Sequence, residues 1–198
     1  SNTVHFSKQE NNILQTEFRF HPGELILNNT LWKIQDSQIR LTGSRIEVQN
    51  FAISSDTKDQ LLTIEGVYSP KEENENLDIH LKNIDLEYIF SSLAIDALQF
   101  SGAATGDIIA SSIKGQPYAE VNLNVHDFGF NQTTLGDLKL FSDLDTETLK
   151  VNMKGNITNE NNKLTNIDGF INPINSELSI NFDAEEVNVA FLNKYVST

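Results

Sequence analysis

The chain has 198 residues, with 28 Asp and Glu against 14 Lys and Arg, a formal net charge of −14, 38% hydrophobic residues and no cysteine. This length admits one or two domains with a packed core, and no apolar run is long enough for a membrane-spanning helix. The acidic excess argues against nucleic acid and against docking on anionic membrane surfaces, because both need clustered Lys and Arg, and leaves calcium or basic partners open; the lack of cysteine excludes disulfides and thiolate metal sites.

Residues 1–12 are polar apart from Val4 and Phe6. They read as a frayed lead-in, with Ser1-Asn2 resembling the scar of a cleaved tag. A first β-repeat unit is expected over 13–115 and a second over 116–198, packed as one continuous domain. From Leu14 the pattern is that of strands: Leu14, Thr16, Phe18 and Phe20 alternate with polar residues, His21-Pro22-Gly23 turns the chain, and Leu25 and Leu27 resume the alternation. Short strands follow over Leu31–Ile34, Ile39–Leu41 and Ile46–Ile53, separated by Asp36-Ser37 and Gly43-Ser44, and Ser54–Gln60 reads as an exposed loop. Leu61–Ser69 and Leu77–Leu81 then flank an acidic turn. Leu86, Ile89, Phe90 and Leu93 fall at i, i+3, i+4 and i+7, which predicts a short helix. Beyond it, Ser101–Gly106 is a run of small residues suited to a bulge or a close backbone approach. Strand patterns return around Val121–Val125, Phe128–Phe130, Leu138–Leu140, Leu149–Met153 and Leu178–Phe182, and a second helix is expected at Val189–Val196.

The chain repeats itself. A displacement of 103 positions carries Leu61 to Leu164, Gly66 to Gly169, Pro70 to Pro173, Leu77 to Ile180 and Ile79 to Phe182 without a gap. Apolar agreement alone would follow from two alternating patterns in phase, whereas the Gly and Pro matches do not, so the chain reads as a duplicated unit of several strands.

No catalytic constellation emerges, and the chain is expected to be non-enzymatic and to need no cofactor. The histidines His5, His21, His80 and His126 show neither H-x-H nor H-E-x-x-H spacing, and His126-Asp127, as strand neighbours, are expected to point to opposite faces. The acidic clusters Glu72, Glu73, Glu75 and Asp143, Asp145, Glu147 lack the spacing of a calcium loop and read as solvated turns.

The runs NNTLWKIQDSQIRLTGSRIEVQNFAISSDTKDQLLTIEGVYS, LKNIDLEYIFSSL, FSGAATGDI and LGDLKLFSDLD resemble the periplasmic repeat region of TamB-type proteins in the AsmA-like superfamily. The likeness covers most of the chain, from about Phe18 to Val196, and rests on alternation with Gly and Trp landmarks. It implies an all-β, curved half-pipe, or β-taco, of stacked short strands with an apolar concave face. It also implies a long protein anchored in the inner membrane of a Gram-negative cell, partnered with an outer-membrane barrel of the TamA or BamA kind. Its implied role is the movement of phospholipid or the assembly of outer-membrane proteins. This chain lacks the anchor, and the family's C-terminal domain that meets the barrel is not recognisable in it.

Strands that are apolar on one face must bury that face against a second sheet or a ligand. The alternatives to a half-pipe that shields phospholipid acyl chains or apolar polypeptide strands are therefore a closed β-sandwich, a structural β-solenoid spacer or a carbohydrate-binding sandwich. If the face is a groove, its lining is expected to be Leu77, Ile79 and Leu81, with Val121, Leu123 and Val125, Leu149, Val151 and Met153, and Leu178, Ile180 and Phe182. Asp78, His80, Asn122, Asn124, Lys150, Asn152, Ser179 and Asn181 then face water. The open ends of such a sheet are expected to pair end to end with a second copy.

Overall fold

In the computed structural model the described residues are 3–8, 13–27, 29–87, 99–161 and 163–184. Of these, 76% are in strand and 1% in helix. The strands are β1 (Thr3–Lys8), β2 (Leu14–Phe20), β3 (Gly23–Leu27), β4 (Thr30–Ile34), β5 (Ser37–Thr42), β6 (Arg45–Ser55) and β7 (Gln60–Tyr68). They continue as β8 (Leu77–Asp85), β9 (Phe100–Ile113), β10 (Gln116–Phe130), β11 (Thr133–Asp145), β12 (Lys150–Thr158), β13 (Leu164–Asn172) and β14 (Glu177–Ala184). The fold class is all-β: an antiparallel sheet with the hydrogen-bonded order β1-β2-β5-β6-β7-β8-β9-β10-β11-β12-β13-β14, β3 and β4 lying off this path. The chain divides into two compact units, Ser1–Asn83 with Asp107–Glu120 and Ile84–Gly106 with Val121–Thr198, and β8, β9 and β10 contribute to both.

In the first unit, β2 pairs with β5, not with β3. The turn at His21-Pro22 leads into a β3–β4 hairpin that leaves the main ladder and rejoins it where Lys33 and Ile34 pair with Ser54 and Ile53 of β6. Thr3–Lys8, within the stretch read as frayed, is held by six register pairs to β2, from Thr3–Arg19 to Lys8–Leu14. The segment read as the exposed loop Ser54–Gln60 is shorter: only Asp56–Asp59 turn in solvent, while Ser55 and Gln60 are buried strand ends and Gln60 Nε2 donates to the carbonyl of Asn83.

Alternation alone does not keep one face apolar along β6, because Val48 and Phe51 are three apart and an odd spacing would put them on opposite faces. Asn50 resolves this by taking a left-handed conformation (φ 53°) in a bulge, so that Val48 pairs with Gly66 while Phe51 pairs with Ile64. The second unit uses the same device: Asp127 (φ 52°) lies in the bulge between Val125, opposite Leu138, and Phe128, opposite Gly136.

The duplication is visible in the ladders. Gly66 pairs with Leu77 and Ile64 with Ile79, while 103 positions later Gly169 pairs with Ile180 and Ile167 with Phe182. Of the helix predicted over Leu86–Leu93, Leu86 and Glu87 are helical. Residues 88–93 and the second predicted helix at 189–196 lie outside the described residues.

Candidate functional site

Residues directly opposite in an antiparallel ladder share a face, so the registers sort side chains without further assumption. In the first unit, Leu77, Ile79 and Leu81 of β8 stand opposite Gly66, Ile64 and Leu62 of β7. Those in turn face Val48, Phe51 and Ile53 of β6, and Val48 faces Ile39 of β5, which faces Phe18 of β2 and through it Val4 of β1. The face is apolar across six strands. Its reverse carries Glu17, Arg19, Arg40 and Glu47 as a chain of ion pairs (Arg19 Nε to Glu17 Oε1 2.8 Å, Arg40 Nη1 to Glu47 Oε2 3.1 Å), with Asp78, His80 and Lys82 further along. The hydrogen bond from Arg19, followed by that from Arg40, holds the Glu17 carboxyl below its ordinary value.

The second unit repeats the division. Leu123 and Val125 stand opposite Leu140 and Leu138, which face Gly155 and Ile157 of β12. Val151 and Met153 face Leu144 and Ser142 on one side and Ile171 and Gly169 on the other, and Ile171, Gly169 and Ile167 face Leu178, Ile180 and Phe182 of β14. Val121, two residues before Leu123, shares its face, and its backbone N–H donates to Ser142 Oγ at 2.9 Å. The registers thus bring ten of the twelve expected lining residues to the apolar face of their unit, and the backbone of Phe182 pairs with that of Ile167 in the same ladder. Leu149 is the exception. It belongs to the 146–149 turn in a left-handed conformation (φ 57°), its N–H donating to the carbonyl of Asp145, so its apolar character does not make it a strand residue. Leu138, Leu140, Leu144, Ile157, Ile167 and Ile171 complete the face. Parity on their own strands could have found them once their partners were known.

Burial is graded along this face. Val125 is 3% exposed, Leu138 6% and Val151 5%, but Ile171 is 40%, Ile180 43% and Leu178 59%. One cross-strand row, Leu144–Val151–Ile171–Leu178, therefore passes from packed interior to open apolar surface. In the first unit the same gradient runs from Leu81 (2%) to Val4 (46%) and Phe6 (70%). Among the described residues no helix is long and apolar enough to cross a membrane.

One titratable cluster departs from expectation. His126 and Asp127 do not point to opposite faces, because the bulge at Asp127 rotates its side chain back until Asp127 Oδ2 is 3.4 Å from His126 Nε2, while His126 Nδ1 is 2.8 Å from Asp137 Oδ1. The Asp127 N–H also donates to Asp137 Oδ1 at 3.1 Å. The hydrogen bond to Asp137, then the charge of Asp127, raise the His126 pKa above its ordinary 6.5. The backbone N–H of Asp127, then His126, lower that of Asp137 below 3.8. The stabilisation from a raised histidine is complete below 6.5 and is lost as pH rises through the folded-state value, whereas that from the lowered aspartate is present above 3.8 and is lost on acidification. An NMR titration of the His126 imidazole is expected to give a midpoint above 6.5 that falls in Asp137→Asn; a midpoint at or below 6.5 would contradict this geometry.

Comparison of the chain with family models, with curated proteins and with solved structures finds no match.

Proposed function

We propose that the chain is a non-enzymatic shield for phospholipid acyl chains, its apolar face serving as one segment of an envelope-spanning bridge between two membranes. The observation that carries this reading is the exposure of Ile171, Leu178 and Ile180 at 40% or more on a face that is otherwise continuous with buried Val151 and Leu138. An apolar row of this kind, left in water, gains by contact with hydrocarbon at about 25 cal/mol per Å² covered. Each methylene of an acyl chain contributes about 0.8 kcal/mol, so a chain of about sixteen carbons gains on the order of 10 kcal/mol at most. The face favours acyl chains over a polypeptide strand for a physical reason. Its backbone N–H and C=O groups are engaged in ladders on both sides, so away from the edges it offers a peptide no main-chain hydrogen bonds.

The resemblance to TamB-type repeats supplies the wider setting of this proposal: a periplasmic location within a longer protein anchored in the inner membrane, a partner barrel of the TamA or BamA kind in the outer membrane, and service to outer-membrane lipid transport and protein assembly. The direct test is biochemical. The chain, purified without detergent, is expected to retain phospholipid identifiable by mass spectrometry of its organic extract, and the double variant Leu178→Arg/Ile180→Arg to retain at least tenfold less while keeping its fold by circular dichroism. A chain that carries no phospholipid and takes up none from uncharged phosphatidylcholine vesicles would overturn the proposal.

A further inference from the structure

The reverse, polar face of the second unit has a built feature of its own. Two rows of side chains cross β10, β11, β12 and β13 side by side. In the first row Asn124 stands opposite Lys139, Lys139 opposite Asn156, and Asn156 opposite Asn166. In the second, Asn122 stands opposite Phe141, Phe141 opposite Lys154, and Lys154 opposite Asp168. Between the rows lies a depression of about 440 Å³. Its floor is the backbone of the intervening residues, whose side chains belong to the apolar face. The rows are two residues apart along each strand, about 7 Å, and four strands at about 4.8 Å spacing give the trough a length of about 14 Å.

Three observations indicate what would fill it. The first is Phe141, which is 49% exposed on a face otherwise polar at this point. The other aromatic on that face, Phe170, is covered by the Lys150 ammonium at 3.6 Å from the ring centroid, whereas among the described residues Phe141 has no such cover. The second is the pair Lys154 and Asp168, which are direct register partners of opposite charge and yet form no ion pair among the described residues. The third is the row of amides. The side chains of Asn122, Asn124, Asn156 and Asn166 make no hydrogen bond to other described residues, so their donors and acceptors are free along both sides of one trough.

From these we infer that the trough is a binding site for an oligosaccharide. A primary amide offers two donors and an acceptor side by side, which suits hydroxyl and acetamido groups that both donate and accept. An exposed ring offers an apolar surface to the C–H face of a pyranose. Other ligand classes fit less well. An acyl chain would leave the amides unpaired, a polypeptide strand lying across the strands finds their main-chain groups already engaged, and nucleic acid is opposed by a net charge of −14. The trough is open along the sheet, so it fits the interior of a glycan chain and not only its end. This site lies on the face opposite the acyl-chain surface and stands or falls independently of it.

The test is a titration of the whole chain with chitotetraose and, separately, cellotetraose, followed by isothermal calorimetry and by amide chemical shifts. At least one is expected to bind saturably with Kd below about 1 mM, with shifts centred on Asn124, Phe141, Asn156 and Asn166. Phe141→Ala and Asn156→Ala are expected to weaken binding at least tenfold with no change in the thermal midpoint, and Phe141→Trp to preserve it. Absence of saturable binding by both tetrasaccharides, binding that survives Phe141→Ala, or shifts confined to residues of the apolar face would overturn the inference.

Discussion

Val151→Arg is expected to leave the chain largely unfolded at room temperature, and Ile180→Arg to lower its thermal midpoint by only a few degrees. The two positions lie on the same face of adjoining parts of one ladder, and by sequence pattern alone they are equivalent. They differ in surroundings. Val151 is 5% exposed, between Leu144 and Ile171, so an Arg there is a charge removed from water with no carboxylate opposite it, at a cost of about 3–5 kcal/mol or more. That approaches the whole stability of a typical domain, about 5–15 kcal/mol. Ile180 is 43% exposed beside Gly169, and a long side chain at that place can carry its guanidinium into solvent. Thermal melts followed by circular dichroism decide the matter, and two variants that melt alike would refute the burial gradient on which the acyl-chain proposal depends.

The second large effect is expected from Gly66→Ala. Gly66 has φ 111°, and a Cβ built on it would stand 2.4 Å from the backbone carbonyl oxygen of Asn76, an atom that cannot rotate away. Conformational strain of about 1–3 kcal/mol and displacement of the β7–β8 ladder act together. The expected loss is about 3 kcal/mol or more, which for a chain of this size lowers the midpoint by roughly 10 °C. Gly43→Ala is the matched control, since Gly43 also has a positive φ (59°) but its added Cβ would meet nothing closer than Ile13 Cγ2 at 3.6 Å. It is expected to cost about 1 kcal/mol. Equal losses in the two variants would mean that backbone conformation, and not the close approach of the paired strand, is what Gly66 provides.

These cases show what the amino-acid order conveys and where it falls short. Which face a strand residue occupies is local, because successive side chains alternate, and so the lining set from Leu77 to Ile180, Leu149 apart, could be read directly. Even the bulges were legible in principle: the three-residue steps from Val48 to Phe51 and from Val125 to Phe128 break parity between apolar residues, and only an inserted residue, here left-handed in both cases, can keep both on one side. Partner choice is not local. Nothing in the alternation of Leu14–Phe20 states that β2 pairs with Ser37–Thr42 rather than with the nearer Gly23–Leu27, since that is decided by how the β3–β4 hairpin rejoins β6. Leu149 departs from the strand pattern for a related reason, because a turn anchored by Asp145 takes the residue out of its strand. The polar trough could not be found from the sequence at all, since Asn124 and Asn166 are 42 positions apart and meet in one row only through three registers.

From β7 onward every strand takes its chain neighbours as its partners. Apart from the β8–β9 connection over residues 86–99, each pairing thus closes a short loop, whose entropic cost is small and nearly independent of how much sheet already exists. Contacts stay local in sequence, the regime in which β proteins fold fastest, and a strand emerging from the ribosome finds its template already in place instead of waiting for a distant segment. A misregistered strand can be corrected by unzipping one hairpin. Sheet of this kind can be lengthened one hairpin at a time at a constant kinetic cost, and the Gly66 and Gly169 hairpins, identical in register, are two such increments.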